Sequence, residues 1–210
     1  MKKSVLILAL GIVLSTISVF ICSCDNDDTT YIIYEKDNNA KLTAADKEAL
    51  LFMLEEEKLA RDTYSYLADF WGVQQFPNIE SSEQSHMNAI MHLLDMYKIP
   101  YTVKPEGEFS NVELQDLYNQ FIVDGVISKV NAFTIGATIE DLDIVDLRER
   151  MDASLNTFVI SVFSRLECGS ENHLRTFVLG LSLLGEIYTP QYLSQEEYDA
   201  IISSVSKPCR

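Results

Sequence analysis

The stretch Glu83-Gln84-Ser85-His86 lies inside the apolar run from Ile79 to Ile99. On an α-helix, side chains three positions apart lie on one face, about 5–6 Å apart. A carboxylate and an imidazole at this spacing can therefore both reach one metal ion. The stretch predicts a metal-ligating helix over about residues 79–97, which Pro100 ends.

Hydrophobic periodicity predicts an all-α chain with a bundle of four long helices. Capping-box pairs, Thr43 with Asp46 and Ser194 with Glu197, mark the start of the first helix and of a short final helix. Residues 100–127 form a long crossover, which allows the second and third helices to run parallel. The four long helices are predicted over about residues 43–71, 79–97, 128–151 and 154–188.

Glu57 falls inside the apolar stripe of the first predicted helix, where a solvated glutamate is not expected. Its neighbours Glu55 and Glu56 turn away from it by about 200° and 100° along the helix. We expect those two to face water or the edge of the stripe. Glu57 thus joins Glu83 and His86 as a candidate metal ligand.

The third and fourth predicted helices carry further inward candidates. Glu140 and Asp143 are three residues apart and can share one helix face, although on this helix alone a solvated acidic face is the stronger interpretation. His173 lies in a polar stretch, 169–175, inside a strongly apolar helix, and the alternative there is a core histidine bound to a neighbouring helix. His92 lies off the inner stripe and is expected at the surface.

Together the inward residues are four carboxylates and two imidazoles. Two divalent ions would neutralise the four carboxylates, whereas without ions the carboxylates would need protons or water. Carboxylate oxygen mixed with imidazole suits iron, manganese or zinc. The candidate metal ligands are Glu57, Glu83, His86, Glu140, Asp143 and His173.

Two sets of motifs resemble known families. Glu57-x-x-Ala60-Arg61-x-x-Tyr64 followed by Glu83-x-x-His86 resembles the first half of the rubrerythrin site, within the ferritin-like superfamily. The stretches 55–64, 82–87 and 169–175 look closer still to an uncharacterised ferritin-like family, domain of unknown function 2202. The resemblance covers about residues 43–188.

The resemblance implies a ferritin-like four-helix bundle with a dinuclear iron or manganese site. It implies metal ligation by Glu57, Glu83, His86, Glu140 and His173. Asp143 stands where rubrerythrins have an extra glutamate. Rubrerythrin's separate rubredoxin domain is absent, so an electron donor would be external.

The departure from the rubrerythrin pattern is Ser170, which occupies the position expected for a carboxylate three before His173. Asp143 can replace that carboxylate and keep the count at four; otherwise the site holds one ion or none. Tyr64 is expected either to donate a hydrogen bond to a ligand or to pack in the core.

The first 24 residues resemble a lipoprotein signal peptide, with Lys2 and Lys3, an apolar core and a lipobox-like end at Cys24. An uncleaved anchor and a plain secretory signal are the alternatives. We expect lipidation of Cys24, a flexible tether over residues 25–42 and the bundle domain over residues 43–210. The acidic run after Cys24 is similar to tags that sort lipoproteins to the outer membrane or cell surface of some Gram-negative bacteria.

The net charge of −16, with no basic patch, argues against nucleic acid as a partner. Cys168 and Cys209 can form one disulfide in an oxidising compartment, which the sequence leaves open. The main functional hypothesis is a redox enzyme acting on peroxide or oxidising Fe(II). The alternatives are a non-catalytic metal-binding lipoprotein and a structural bundle with a decayed site. A homodimer is left open.

Overall fold

The computed structural model describes residues 41–206, 208 and 209, and these residues form six α-helices without strands. The predicted signal peptide, Cys24 and most of the predicted tether lie outside the described residues. Within the described part of the chain, no helix is long and apolar enough to span a membrane. The helices are α1 Ala44–Trp71, α2 Gln75–Met96, α3 Val112–Gly125, α4 Lys129–Asp152, α5 Thr157–Leu183 and α6 Gln195–Ser203.

Four long helices pack as a bundle of two hairpins, α1 with α2 and α4 with α5. Helix α1 runs antiparallel to α4, because Tyr64 contacts Glu140 while Asp46 contacts Ser154. Since α2 in turn folds back along α1, α2 and α4 run parallel, as the long crossover predicts. Helix α3 lies within that crossover and packs against α1 and α4. The predicted all-α bundle is confirmed.

The buried ion pair of Lys58 and Asp62 fastens the crossover to α1. Lys58 Nζ also donates to the carbonyl of Pro105 at 2.8 Å, and Asp62 accepts from the amide of Gly107 at 2.9 Å. These bonds satisfy two charges that would be costly to bury alone. They hold the crossover against the outside of the bundle, away from its centre.

Both predicted capping boxes are confirmed, but two helix boundaries differ from prediction. Helix α2 begins at Gln75, four residues early, because Pro77 fits in a first turn, where its missing N–H has no intrahelical partner to lose. Helix α5 is shorter than 154–188. Asn156 caps its start by accepting from the amides of the next turn, and Gly185, with φ 83°, follows its end.

The apolar core consists of two clusters, one at each end of the bundle. One contains Tyr64, Phe76, Phe133 and Phe177. The other contains residues 49–54 of α1 with residues from the C-terminal half of α2 and the N-terminal half of α5. Between the two clusters, all four long helices turn polar side chains inward. This buried polar layer positions the candidate site.

The question that the sequence left open about the cysteines is answered by a disulfide. Cys168 on α5 is joined to Cys209, with the two Cα atoms 5.6 Å apart. The bond ties the C-terminal segment after α6 to the middle of the bundle.

Candidate metal centre

The six predicted ligands lie in the polar layer at one level of the bundle. Helix α1 contributes one, α2 two, α4 two and α5 one. All six residues are buried or nearly so, and Glu83 retains only 1% of its exposure. Because buried carboxylates need partners, their convergence calls for compensating positive charge.

One group of ligands joins α1 to α2. Nδ1 of His86 lies 3.1 Å from Oε2 of Glu57 and 2.8 Å from Oε2 of Glu83. These three side chains can each direct one ligand atom at a shared point, with the atoms within 4.8 Å of one another. We call this group position 1.

A second group joins α2, α4 and α5. Nδ1 of His173 lies 2.7 Å from Oε1 of Glu83 and 3.4 Å from Oε2 of Glu140. This group also has its ligand atoms within 4.8 Å of one another, and we call it position 2. Glu83 therefore belongs to both positions, one carboxylate oxygen facing each histidine.

Two contacts around position 2 orient its ligands. The Tyr64 hydroxyl donates to Oε1 of Glu140 at 2.6 Å, so the alternative of packing alone does not describe it. The hydroxyl of Ser82 lies 3.0 Å from Nε2 of His173, which leaves Nδ1 turned toward Glu83. Sequence reasoning missed Ser82, although it stands one residue before Glu83.

The ring of His86 is positioned by the absence of a side chain. A Cβ atom placed on Gly169 of α5 would lie 2.5 Å from Nε2 of His86, well inside van der Waals contact. Glycine at 169 therefore lets the imidazole pack directly on the backbone of α5. The sequence signal was present, since a glycine in the middle of a long helix otherwise costs about 1 kcal/mol relative to alanine.

Ser170 and Asp143 interact directly. The Ser170 hydroxyl lies 2.5 Å from Oδ2 of Asp143, while Oδ1 of Asp143 has no hydrogen-bond partner among the described residues. Asp143 is thus held toward the place where a carboxylate at 170 was expected. Glu171 does not take that place, because it pairs with Arg148 and Arg175 instead.

One alternative and one expectation about acidic residues are wrong. The solvated acidic face on α4 does not form, because Glu140, Asp141 and Asp143 are all buried. Asp141 instead accepts from the Tyr188 hydroxyl at 2.8 Å and from the amide of Leu193 at 2.7 Å, which anchors the loop before α6.

Glu56 does not face water either; it is 2% exposed and lies near Asp143 and Asp146 of α4. Glu55 fulfils the expectation in part, accepting from the amides of Ser110 and Asn111 at the edge of the bundle. His92 is exposed, as expected.

The electrostatics show a layer short of positive charge. Burial raises the pKa of Glu57 and Glu140, and nearby carboxylates add to the shift. Burial and the charge of Glu140 raise the pKa of Asp143 to about 8. Burial would lower the pKa of His173, but Glu83 and Glu140 outweigh it and raise that pKa to about 10. The raised pKa values favour the protonated forms of these side chains, which lowers the net negative charge of the layer.

Glu83 is the exception within the layer. Burial would raise its pKa, but the imidazoles of His173 and His86 on either side lower it well below the usual value. An ionised carboxylate between two imidazoles has the arrangement of a bridging ligand.

Several buried atoms of the layer lack hydrogen bonds, although they lie close together. Oε1 of Glu83 and Nδ1 of His173 are 2.7 Å apart but not aligned as a hydrogen bond, and Oε1 of Glu57 and Oδ1 of Asp143 are also unpaired. Unsatisfied buried polar atoms cost roughly 1–3 kcal/mol each. Oxygen and imidazole donors converge here, so the buried glutamate and histidine clusters could hold a metal ion.

Residues 46–205 match the family described as "Uncharacterized protein domain (DUF2202)". The chain is 47% identical over 165 residues to "Uncharacterized protein MJ0754" from Methanocaldococcus jannaschii, covering 78% of this chain and 89% of that protein. The crystal structure of the hypothetical protein MJ0754 superposes with a TM-score of 0.78 at 46% identity, covering 80% of this chain and 97% of the other.

Proposed function

We propose that this chain, which belongs to the DUF2202 family, is a ferritin-like metal-binding protein with a dinuclear iron or manganese centre and redox activity toward peroxide or oxygen. One observation supports this above all: two groups of carboxylate and imidazole donors share Glu83. A single ion would need only one of those groups. A pair of ions bridged by Glu83 would use both.

The charge balance favours two ions. Glu57, Glu83, Glu140 and Asp143 together carry four negative charges when ionised, and two divalent ions carry four positive charges. Asp143, held by Ser170, supplies the carboxylate that Ser170 itself lacks. Metal binding would require deprotonated ligands, so metal ions would compete with protons for the layer.

Iron or manganese bound here would supply the electron-transfer chemistry, and the protein would control its surroundings. Tyr64 holds Glu140 in place through its hydroxyl, and Ser82 fixes which nitrogen of His173 faces the centre. The two apolar clusters on either side exclude water. Electrons for repeated turnover would come from an external donor.

Elemental analysis of the purified chain tests the centre directly. Protein prepared without chelator should hold about two iron or manganese ions per chain, and Glu83→Gln should lose both, because both positions use that residue. Glu80→Gln is the matched control, the same substitution on α2 at a partly exposed glutamate. One ion per chain would refute the dinuclear centre, and none after reconstitution would refute metal binding.

A non-catalytic metal-binding protein is the second candidate. Ser170, in place of a carboxylate, favours it, because the fourth carboxylate would have to come from Asp143 on another helix. The two candidates differ in turnover. A redox enzyme should consume peroxide or oxidise Fe(II) faster than Glu83→Gln does. Tight metal uptake with equal rates would favour the binding protein.

We further propose that Cys24 is lipidated and that the chain is anchored in the cell envelope of a bacterium, at the outer membrane or cell surface. The support is the lipobox-like sequence that ends at Cys24. Expression with a radiolabelled fatty acid should label the wild-type chain. The Cys24→Ser chain should stay unlabelled and leave the membrane fraction, and labelling of both chains would refute the anchor.

A further inference from the structure

Glu56 has no role in either metal position, yet it is buried beside them. It is 2% exposed, and neither of its carboxylate oxygens has a hydrogen-bond partner among the described residues. A buried carboxylate in this state is expensive and calls for a function.

Helix α4 sets the surroundings of Glu56. The contacts of Tyr64 with Glu140 and of Asp46 with Ser154 fix the antiparallel register of α1 and α4. Between those two contacts, Glu56 faces the turn of α4 that carries Asp143 and Asp146. Burial raises the pKa of Glu56, and the charges of Asp143 and Asp146 raise it further, which agrees with this placement.

The solvent exposure of these three carboxylates falls from the surface toward the metal centre. Asp146 is partly exposed, Glu56 is buried, and Asp143 is buried within the polar layer with Oδ1 unpaired. Arg150, one turn further along α4, lies over the ring of Phe52 at 4.0 Å. From the surface inward, Asp146, Glu56 and Asp143 thus offer carboxylate oxygens to a cation one after another.

We propose that Asp146 and Glu56 form an uptake route along which divalent cations pass from the α1–α4 surface to position 1. This proposal rests on the proposed metal centre. Asp143 acts on both neighbours, since its charge raises the pKa of Glu56 and of Glu57, so an ion released by Glu56 meets Asp143 and then the position 1 ligand Glu57. A route residue stabilises the ion in transit, and it therefore changes how fast the centre fills and empties but not how tightly it holds metal.

Stopped-flow binding of Co(II) to the purified metal-free chain tests the route. Release is measured by adding excess EDTA to the loaded protein. Glu56→Gln and Asp146→Asn should slow both uptake and release by roughly tenfold, the lower end of the effect that charge focusing in a cleft gives. The stoichiometry and the dissociation constant should stay at their wild-type values. Glu48→Gln, at an exposed glutamate of α1, is the matched control and should behave like wild type.

Four outcomes would overturn the route. Wild-type rates in Glu56→Gln would remove Glu56 from uptake, and a weaker dissociation constant with unchanged uptake would make it a ligand instead. Equal slowing by Glu48→Gln would point to general surface charge. A wild-type chain that binds no Co(II) would refute the metal centre and the route together. If Glu56→Gln fails to fold, Glu56→Asp, which keeps the charge but shortens the reach, replaces it and should slow uptake less.

Discussion

Gly169→Ala should damage position 1 through a single added methyl group. The new Cβ would lie 2.5 Å from Nε2 and 2.7 Å from Cε1 of His86, so the imidazole must move by about 1 Å to reach van der Waals distance. That movement breaks the approach of Nδ1 to Glu57 and Glu83, now 3.1 and 2.8 Å. Disturbing what orients a metal-ligating histidine typically costs about 10–100-fold in metal affinity.

The same substitution also has a stability cost that must be separated from the metal effect. Overpacking costs about 1–3 kcal/mol, while replacing a helical glycine by alanine returns about 1 kcal/mol. Gly180→Ala is the matched control on the same helix, since its Cβ would lie 2.1 Å from the ring of Phe133, away from the polar layer. Both variants should melt below wild type when metal-free.

Co(II) titration of the three proteins decides the question. Only Gly169→Ala should bind Co(II) more weakly, and the wild-type chain and Gly180→Ala should bind equally. The reasoning fails if Gly169→Ala keeps wild-type affinity. It also fails if Gly180→Ala loses as much affinity as Gly169→Ala, because destabilisation alone would then explain the loss.

Two further predictions concern stability. The bond between Cys168 and Cys209 closes a loop of 41 residues, so reducing it should lower the melting temperature. Loop entropy sets an upper estimate of about 4 kcal/mol for the loss in the free energy of unfolding. Cys209→Ser should melt like the reduced protein, and added reductant should not change its melting temperature. Burial raises the pKa of Asp46, but hydrogen bonds from Ser154 and Thr43 outweigh it and leave the pKa below 3.8. Asp46 therefore stabilises the fold above pH 3.8 and loses this effect as pH falls through its lowered pKa. The melting temperatures of wild type and Asp46→Asn should thus differ by a constant amount near neutral pH and converge below about pH 4; a constant difference down to pH 2 would contradict this.

The ligand candidates were predictable because each left a trace within its own helix. Glu57 interrupts an apolar stripe, and Glu83 and His86 have the three-residue spacing of ligands on one face. Periodicity also gave the all-α fold and both capping boxes. These signals are local, and a sequence states them directly.

The residues that the sequence did not reveal act across helices. Glu56 is buried on the side of α1 that faces Asp143 and Asp146 of α4, which periodicity within α1 cannot show. Ser82 on α2 contacts the imidazole of His173 on α5, and Gly169 on α5 lies against the imidazole of His86 on α2. Both residues matter only through these contacts between helices. On α4 the acidic residues taken alone favoured a solvated face, and only the packing of Asp141 on the loop at 188–193 and of Asp143 on Ser170 ruled it out.

The polar layer is poorly suited to stabilising the metal-free bundle. It places five buried carboxylates, counting Glu56, between two apolar clusters and leaves several of their oxygens unpaired. Replacing such groups with well-packed apolar side chains commonly leaves a protein as stable or more so. A fold that needed only stability would therefore gain nothing from this arrangement. A ligand that binds only the folded chain would recover the cost, since its binding adds directly to the free energy of unfolding. Under the proposed metal binding, the stability of the layer would therefore depend on its cation.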